Sequence, residues 1–267
     1  MELRRALLAS VQDTNDNPSC LTISTCIKAP ALDNNKSPFT LVVLNDNTVG
    51  ISYNLFHSDP ETMARYHEWN LHHLFGQPAG EVAPLILSDD LLERTIGFAV
   101  INALSQIRIK ADTARYHLDD SIDLFSLLHC DASHTLGLVG YFRPLMNKLM
   151  TLTKRVIVVE KSETLLAGRY PFLMTDDPTA LQQCNKILIT GTTLINDSLP
   201  DLIPYCCNAD FIAIMGPTAG FVPTPLFDLG IHAVGYSRIE DTSLFIERFT
   251  HGQKWGNSTR KVWLRAS

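Results

Sequence analysis

The second half of the chain alternates between short aliphatic runs and segments with helical character. The aliphatic runs are HTLGLVG (134–140), RVIVVE (155–160), KILIT (186–190), DFIAIMG (210–216) and HAVGYS (232–237). The helical segments are RPLMNKLMTL, PTALQQC, SLPDLIPYC and DTSLFIERFTHG. Strands that are aliphatic throughout are typical of parallel sheets with helices on both faces. The alternation therefore predicts a Rossmann-like, doubly wound α/β layer, with KVWLRA (261–266) as an added edge strand.

In the first half the strands precede the helices. An amphipathic helix opens the chain, and β-branched runs follow at 21–29, 39–46 and 48–55. Asn45-Asp46-Asn47 predicts a tight hairpin between the second and third strands. Capping residues then predict helices over 60–74 and 91–106. We expect an α+β domain over 1–110 and an α/β domain over 111–267, joined by the polar segment 107–125.

Composition excludes several classes of protein. The 267 residues are 45% hydrophobic, which is enough for a large core and argues against disorder. The net charge of −6 and the lack of a dense basic run argue against nucleic-acid binding. Since no apolar run approaches the roughly 20 residues that cross a bilayer, we expect a soluble, cytoplasmic protein with no membrane partner.

The six cysteines do not form a metal or disulfide pattern. No CxxC pair occurs, so reduced thiols are expected, Cys20 among them. The histidines between 57 and 73 are too irregularly spaced for a ligand set. Cys206 and Cys207 are adjacent, and on a helix they would point about 100° apart. His129 and Cys130 are the remaining metal candidate, although a single Cys is more often an inert core residue.

Four loops follow predicted strands, where parallel sheets bind their ligands. Gly140 allows a sharp turn and Pro144 can start a helix, but the loop is not GxGxxG, so NAD and FAD are disfavoured. Glu160 lies 20 residues beyond Gly140, where an acidic side chain can bind a ribose or simply end a strand.

The later loops are rich in hydroxyl, amide and glycine groups. Thr190-Gly191-Thr192-Thr193, followed by Asn196, suits a helix cap, a polar ligand, or both. Gly216-Pro217 suits a close ligand approach or a plain turn. In the helix, Asn102 is a polar residue among apolar ones, so its amide either makes a buried structural contact or faces a cleft.

Four stretches resemble the heavy-metal chelation family called domain of unknown function 364 (DUF364), with its N-terminal partner domain 4213 (DUF4213). They are LLERTIGFAVINALS, LGLVGYFRPL, ITGTTLINDSLPDLI and MGPTAGFVPTPLFDLGIHAVGYSRIED. The resemblance implies an enolase-N-terminal-like α+β domain, then a Rossmann-like domain, with a site in the cleft between them. The positions that match the family are Asn102, Gly140, Tyr141, Phe142, Pro144, Glu160, Thr190, Gly191, Thr192, Thr193, Asn196, Gly216 and Pro217.

Three functions fit this sequence. The first is binding of a small polar molecule or metal complex in the interdomain cleft, with Tyr141 or Phe142 as an aromatic wall and Glu160 as an acceptor. The second is an enzyme whose cofactor contains a nucleoside, such as S-adenosylmethionine. The third is a scaffold that forms a homodimer without catalysis. No GxSxG or P-loop motif occurs, and neither the ligand nor a catalytic residue is fixed by the sequence.

Overall fold

The computed structural model describes residues 2–12, 21–30 and 38–266. The strands are β1 (Ile23–Ile27), β2 (Phe39–Leu44), β3 (Val49–Tyr53), β4 (Leu118–Asp119), β5 (Thr135–Val139), β6 (Arg155–Val159), β7 (Leu173–Thr175), β8 (Lys186–Thr190), β9 (Phe211–Met215), β10 (Ala233–Ile239) and β11 (Thr259–Arg265). The helices are α1 (Glu2–Gln12), α2 (Pro60–Glu68), α3 (Ala79–Val82), α4 (Leu91–Ala111), α5 (Leu124–Leu128), α6 (Met146–Leu152), α7 (Glu163–Leu166), α8 (Thr192–Ile195), α9 (Leu199–Leu202), α10 (Thr224–Phe227) and α11 (Thr242–Thr250). Short 3-10 turns connect several of these elements.

Strands β1, β2 and β3 form a small antiparallel sheet in that order. The predicted hairpin between β2 and β3 is confirmed, with Leu41 opposite Ile51 and Asn47 in a left-handed conformation. One face packs on α4 so closely that a Cβ on Gly50 would lie 1.8 Å from the carbonyl oxygen of Ala99. That contact requires a residue without a side chain.

The other face of the small sheet is covered by α11, which comes from the far end of the chain. Phe245 and Phe249 of α11 are fully buried and share an apolar core with Leu41 and Val43 of β2. Thr242 also donates from Oγ1 to the carbonyl of Asn47 in the hairpin at 3.2 Å. The N-terminal sheet is therefore completed by a helix that lies outside the predicted 1–110 domain.

Helix α4 is the central element of the N-terminal part. Asp90 caps its start by accepting from the N–H groups of Leu92 and Glu93. The helix continues to Ala111, five residues beyond the predicted end, and most of its residues are buried between the small sheet and the loop after β9. Phe98 contacts Phe221 of that loop with ring centroids 6.0 Å apart. Helix α4 therefore joins the two halves of the chain.

The large sheet has eight strands in the order β4-β11-β10-β9-β8-β5-β6-β7. The six strands from β10 to β7 run parallel, whereas β11 is antiparallel to both of its neighbours. The predicted mixed α/β fold with a parallel sheet and helices is thus confirmed. The order reverses between β5 and β8, and such switch points open a crevice at the carboxyl ends of the strands.

Several boundaries differ from the prediction. The helix expected over 60–74 ends at Glu68, because the Asn70 side chain accepts from the N–H of His72 and forms a turn instead. The predicted edge strand 261–266 is not at the edge, since β4 pairs with β11 on its outer side. Strands β4 and β7 were not expected, being only two and three residues long. Cys20 lies outside the described residues.

Candidate functional site

A cavity of about 410 Å³ opens at the carboxyl ends of β5, β6 and β8, next to the switch point of the strand order. We call it the cleft. Tyr53 of the small sheet forms part of its wall, so the cleft lies between the two halves of the chain. Eight of the predicted site residues line it: Gly140, Tyr141, Phe142, Glu160, Thr190, Thr192, Thr193 and Asn196.

The turn after β5 depends on Gly140. Its φ is +90°, a conformation that L residues with a side chain rarely adopt. A Cβ at this position would also lie 2.9 Å from Cγ2 of Thr190 at the end of β8. The glycine therefore allows the two strands at the switch point to end side by side.

Glu160 is anchored by backbone groups at the mouth of the cleft. Its Oε2 accepts from the N–H of Tyr141 at 3.0 Å, and its Oε1 accepts from the N–H groups of Lys161 and Ser162 at 2.8 and 3.1 Å. These donors fix the orientation of the carboxylate. The carboxylate also occupies the Tyr141 N–H, the donor that an anionic ligand would need at this turn.

The threonines after β8 present hydroxyl groups to the cleft. Oγ1 of Thr190 lies 3.0 Å from Oγ1 of Thr192, and Thr193 donates to the carbonyl of Thr190 at 2.8 Å. Oδ1 of Asn196 accepts from both the N–H and the hydroxyl of Ser198, at 3.1 and 2.7 Å. Asn196 thus stabilises the turn into α9, and its amide nitrogen is the group left to face a ligand.

Aromatic side chains form the outer wall. Tyr141 and Phe142 line the cleft, as expected for an aromatic wall. The Tyr141 ring packs edge-on against Tyr170, with centroids 5.6 Å apart, and Tyr170 stacks on Phe172 at 5.1 Å. This cluster holds the Tyr141 ring in place.

Tyr53 is a cleft residue that the sequence did not indicate. Its hydroxyl lies 3.2 Å from Nδ1 of His57, and the ring is half-buried. Burial and the nearby negative charge of Glu160 raise the pKa of the Tyr53 phenol, so it remains a neutral hydrogen-bonding group in the cleft. Tyr53 is the last residue of β3, and nothing in the neighbouring sequence indicates that its side chain reaches the other half of the chain.

Asn102 lies outside the cleft. Its Oδ1 accepts from the N–H of Ile51 at 3.0 Å, and its Nδ2 donates to the carbonyl of Gly220 at 3.2 Å. Gln106, one turn later, donates to the same carbonyl at 2.6 Å. Because both ends of the Asn102 amide already have backbone partners, these bonds favour the structural alternative for this residue.

The remaining predicted loop residues do not line the cleft; they are Pro144, Gly191, Gly216 and Pro217. A Cβ on Gly216 would lie 3.4 Å from the backbone nitrogen of Gly191, so the ends of β8 and β9 are adjacent. Gly216 and Pro217 instead line a separate cavity beside β10. Pro144 is exposed in the turn before α6, which begins at Met146 and not at the proline.

The structure offers little support for metal ligation by His129 and Cys130. His129 is exposed at the end of α5, whereas Cys130 is buried in the core behind the large sheet. Burial, and to a smaller extent Asp131, raises the pKa of the Cys130 thiol, which opposes the thiolate that a metal needs. Across residues 2–12, 21–30 and 38–266, no group of three or more His, Cys, Asp or Glu side chains could hold a metal ion.

Two family models match this chain. DUF364, described as "Putative heavy-metal chelation", matches residues 123–266. The chain belongs to the DUF364 family. DUF4213, which carries the same description, matches residues 37–105 of this DUF364 protein. The two matches together cover β2 and β3 of the small sheet, α4 as far as residue 105, and the large sheet from β5 to β11.

This DUF364 protein is similar to one curated relative and to two solved structures of the same family. An uncharacterized protein of Methanocaldococcus jannaschii is 31% identical over 157 residues, and the chain spans 58% of the length of that relative. DUF364-family proteins of unknown function from Desulfitobacterium hafniense and Pyrococcus horikoshii have crystal structures with TM-scores of 0.73 and 0.72. Each is 19% identical, and each comparison covers 99% of this chain and 98% of the other. These two structures share the fold of this chain.

None of the helices in the described part of the chain has the length and apolar character of a transmembrane segment.

Proposed function

We propose that the cleft binds a small polar molecule, either a metal complex or an organic molecule that chelates a metal. The observation that carries this proposal is the convergence of Tyr53, the Gly140 turn, Glu160 and the threonines after β8 on one cavity. Cavities of this size that combine apolar walls with a few oriented polar groups are typical ligand sites. The position at the switch point of the parallel sheet, next to the small antiparallel sheet, supports the same proposal.

The polar groups of the cleft favour a ligand with hydroxyl or cationic groups. Glu160, the hydroxyls of Thr190 and Thr192, and the Tyr53 phenol all offer acceptor oxygens. The Tyr141 N–H, which could bind an anion, is already bonded to Glu160. Because the described residues hold no set of metal ligands, a metal would enter this cleft with donor atoms of its own ligand.

A nucleoside-containing cofactor such as S-adenosylmethionine is the second candidate. It is favoured by Glu160, which follows β6 next to the Gly140 turn, where acidic residues bind ribose hydroxyls in Rossmann-like folds. Glu160 accepts three backbone hydrogen bonds and keeps further lone pairs for a ribose. In that case the protein would be an enzyme, and the cofactor would lie along the cleft.

Elemental analysis of freshly purified, untagged protein and thermal shift measurements distinguish these ligands. The panel is divalent transition metals with and without ethylenediamine, which forms cationic complexes, together with adenosine, S-adenosylmethionine and a pterin. A ligand at 100 times its Kd stabilises the fold by about 2.7 kcal/mol. Stabilisation by the metal–ethylenediamine complex, but not by the free metal or by ethylenediamine alone, supports the leading proposal, whereas stabilisation by the nucleosides alone supports the second. A response to none of these ligands contradicts both ligand proposals. The remaining interpretation is then a dimeric scaffold without a ligand.

Glu160→Gln tests whether the cleft is the site of any response. Gln keeps one acceptor oxygen but removes the charge, so the ligand-induced shift should fall while the fold persists. Glu163→Gln is the matched control, because it makes the same change in the first turn of α7 outside the cleft lining. Equal responses in the two variants would place the ligand elsewhere.

A further inference from the structure

A second cavity, of about 500 Å³, lies beside the carboxyl ends of β9 and β10. We call it the β10 cavity. It is lined by Gly216 and Pro217, the loop that the sequence singled out and that the cleft does not use. Most of its apolar lining packs against the core around Trp263, whereas Tyr236 and Val262 belong to the core that also contains Val139 and Val159. The two cavities have no lining residue in common.

The floor of the β10 cavity is set by the pairing of β10 with β11. Gly235 lies opposite Trp263 and Ser237 lies opposite Lys261, so these four residues share one face of the sheet. A Cβ on Gly235 would lie 2.6 Å from the Trp263 ring. The indole therefore lies directly over the backbone of β10 and forms an aromatic floor.

The walls are apolar and come from separate elements. Ile122 and Phe125 lie before and within α5, Leu145 precedes α6, and Met215 ends β9. All four are only partly buried, although they pack against the core that contains Trp263. Apolar side chains that remain partly open around a cavity of this volume are the usual lining of a small-molecule site. The rings of Phe125 and Trp263 favour a planar aromatic ligand.

The charges at the mouth leave one cation unmatched. Asp120 lies 3.1 Å from Arg238 and 3.7 Å from Arg260, so its charge is already compensated. Asp123 caps α5 by accepting from the N–H groups of Phe125 and Ser126. Among the ion pairs of the described part of the chain, none includes Lys261, whose side chain lines the same mouth. Asp123 is in none of these ion pairs either, so the mouth is not cationic overall, and Lys261 is the lining side chain that can bind an anionic group.

We propose that the β10 cavity binds a planar aromatic carboxylate. The ring lies between Phe125 and Trp263, and the carboxylate is bound by the ammonium group of Lys261. This site is independent of the cleft and of the function proposed for it, since the two cavities have no lining residue in common.

The test is isothermal titration calorimetry of the full chain with 2-naphthoate as the probe and 2-naphthol as its uncharged analogue. We expect saturable, equimolar binding of 2-naphthoate with a Kd below about 1 mM. Lys261→Gln should weaken binding of 2-naphthoate by up to about fivefold, as for a partly exposed ion pair, and leave 2-naphthol unaffected. Lys161→Gln is the matched control, because it makes the same change at the cleft.

Ile122→Trp fills the cavity and should abolish binding of both probes. Absence of saturable binding to the unmodified protein would overturn the proposal. So would weakening by Lys161→Gln without weakening by Lys261→Gln, which would assign the probe to the cleft. Unchanged affinity in a folded Ile122→Trp variant would also overturn it. If Ile122→Trp does not fold, the comparison of Lys261→Gln with Lys161→Gln decides whether 2-naphthoate binds in the β10 cavity.

Discussion

Arg4 and Asp197 form a two-pronged ion pair between the N-terminal helix and the loop that follows α8. Nε of Arg4 donates to Oδ1 of Asp197 at 3.0 Å, and Nη2 lies 2.8 Å from Oδ2. Nη1 of the same arginine donates to the carbonyl of Ile86 at 3.1 Å. Because Asp197 lies between Asn196 and Ser198, which both line the cleft, this pair connects α1 to the wall of the candidate site.

Replacing Arg4 with Met should destabilise the protein by about 2–3 kcal/mol. The Arg4 side chain is 6% exposed and Asp197 is 28% exposed, so loss of the cation leaves a partly buried carboxylate without its partner. Arg65→Met is the matched control, because Arg65 pairs with Asp90 at the surface and should cost less than about 1 kcal/mol. Urea unfolding measures both losses. Similar losses would contradict a special role for the Arg4 pair.

Gly140→Ala should cost more stability than Gly230→Ala. Both glycines have φ near +90°, but a Cβ on Gly230 has nothing within 4 Å, whereas one on Gly140 meets Thr190. We expect about 1 kcal/mol for the backbone conformation alone at Gly230 and about 2–3 kcal/mol at Gly140, measured by urea unfolding. Thr190→Ser removes Cγ2 and should restore part of the loss in the Gly140→Ala background. No restoration would mean that crowding by Thr190 is not the cause.

Asn102→Ala should destabilise the fold by about 2–4 kcal/mol. The change leaves the N–H of Ile51 without its amide partner in a buried position and removes a donor from Gly220. Gln106→Ala removes a donor to the same carbonyl but leaves Ile51 paired, so it should cost less than half as much. Thermal and urea unfolding test this order. The reverse order would show that the bond to Ile51 contributes little.

The stability of the protein should fall as the pH rises above 9. Burial raises the pKa of Cys184 to about 12 and that of Cys206 to about 11, from 9.0 for a free thiol. Both thiols therefore ionise in the unfolded chain first, so their contribution is complete below pH 9 and decreases towards pH 11–12. Between its pKa in the unfolded chain and its pKa in the folded protein, each thiol lowers the free energy of unfolding by about 1.4 kcal/mol per pH unit.

Urea unfolding between pH 8 and 10.5 measures this slope. Cys184→Ala should reduce it by the contribution of one thiol, whatever the variant costs at pH 8. Cys207→Ala removes an exposed thiol that makes only the smaller contribution to the raised pKa of Cys206, so it should change the slope much less than Cys184→Ala does. A slope that does not respond to Cys184→Ala would show that other groups cause the alkaline loss.

Local sequence patterns were sufficient for the longer strands and for most of the loops that line the cleft. The hairpin at Asn47 and the aliphatic strands were predictable because turn chemistry and strand composition act over a few residues. The loops carrying Gly140, Glu160 and Thr192 follow parallel neighbours, so their convergence followed from topology alone.

Long-range packing was not predictable from the same patterns. Tyr53 enters the cleft, and Arg4 reaches Asp197, only because the two halves dock in one particular way. Gly216 follows β9 at the expected edge of the sheet but lines the β10 cavity and not the cleft. Which cavity a loop residue lines depends on the packing of distant segments, and no local sequence pattern indicated it.

Helix α11 limits how the cleft can admit a ligand. The helix is held to the large sheet by its connections to β10 and β11, and it buries Phe245 and Phe249 against the small sheet. A hinge motion that swung the two halves apart would expose these rings to water, at roughly 1.5–3 kcal/mol for each aromatic side chain. A ligand should therefore enter through the existing mouth of the cleft beside Glu160, while the two halves of the chain stay docked.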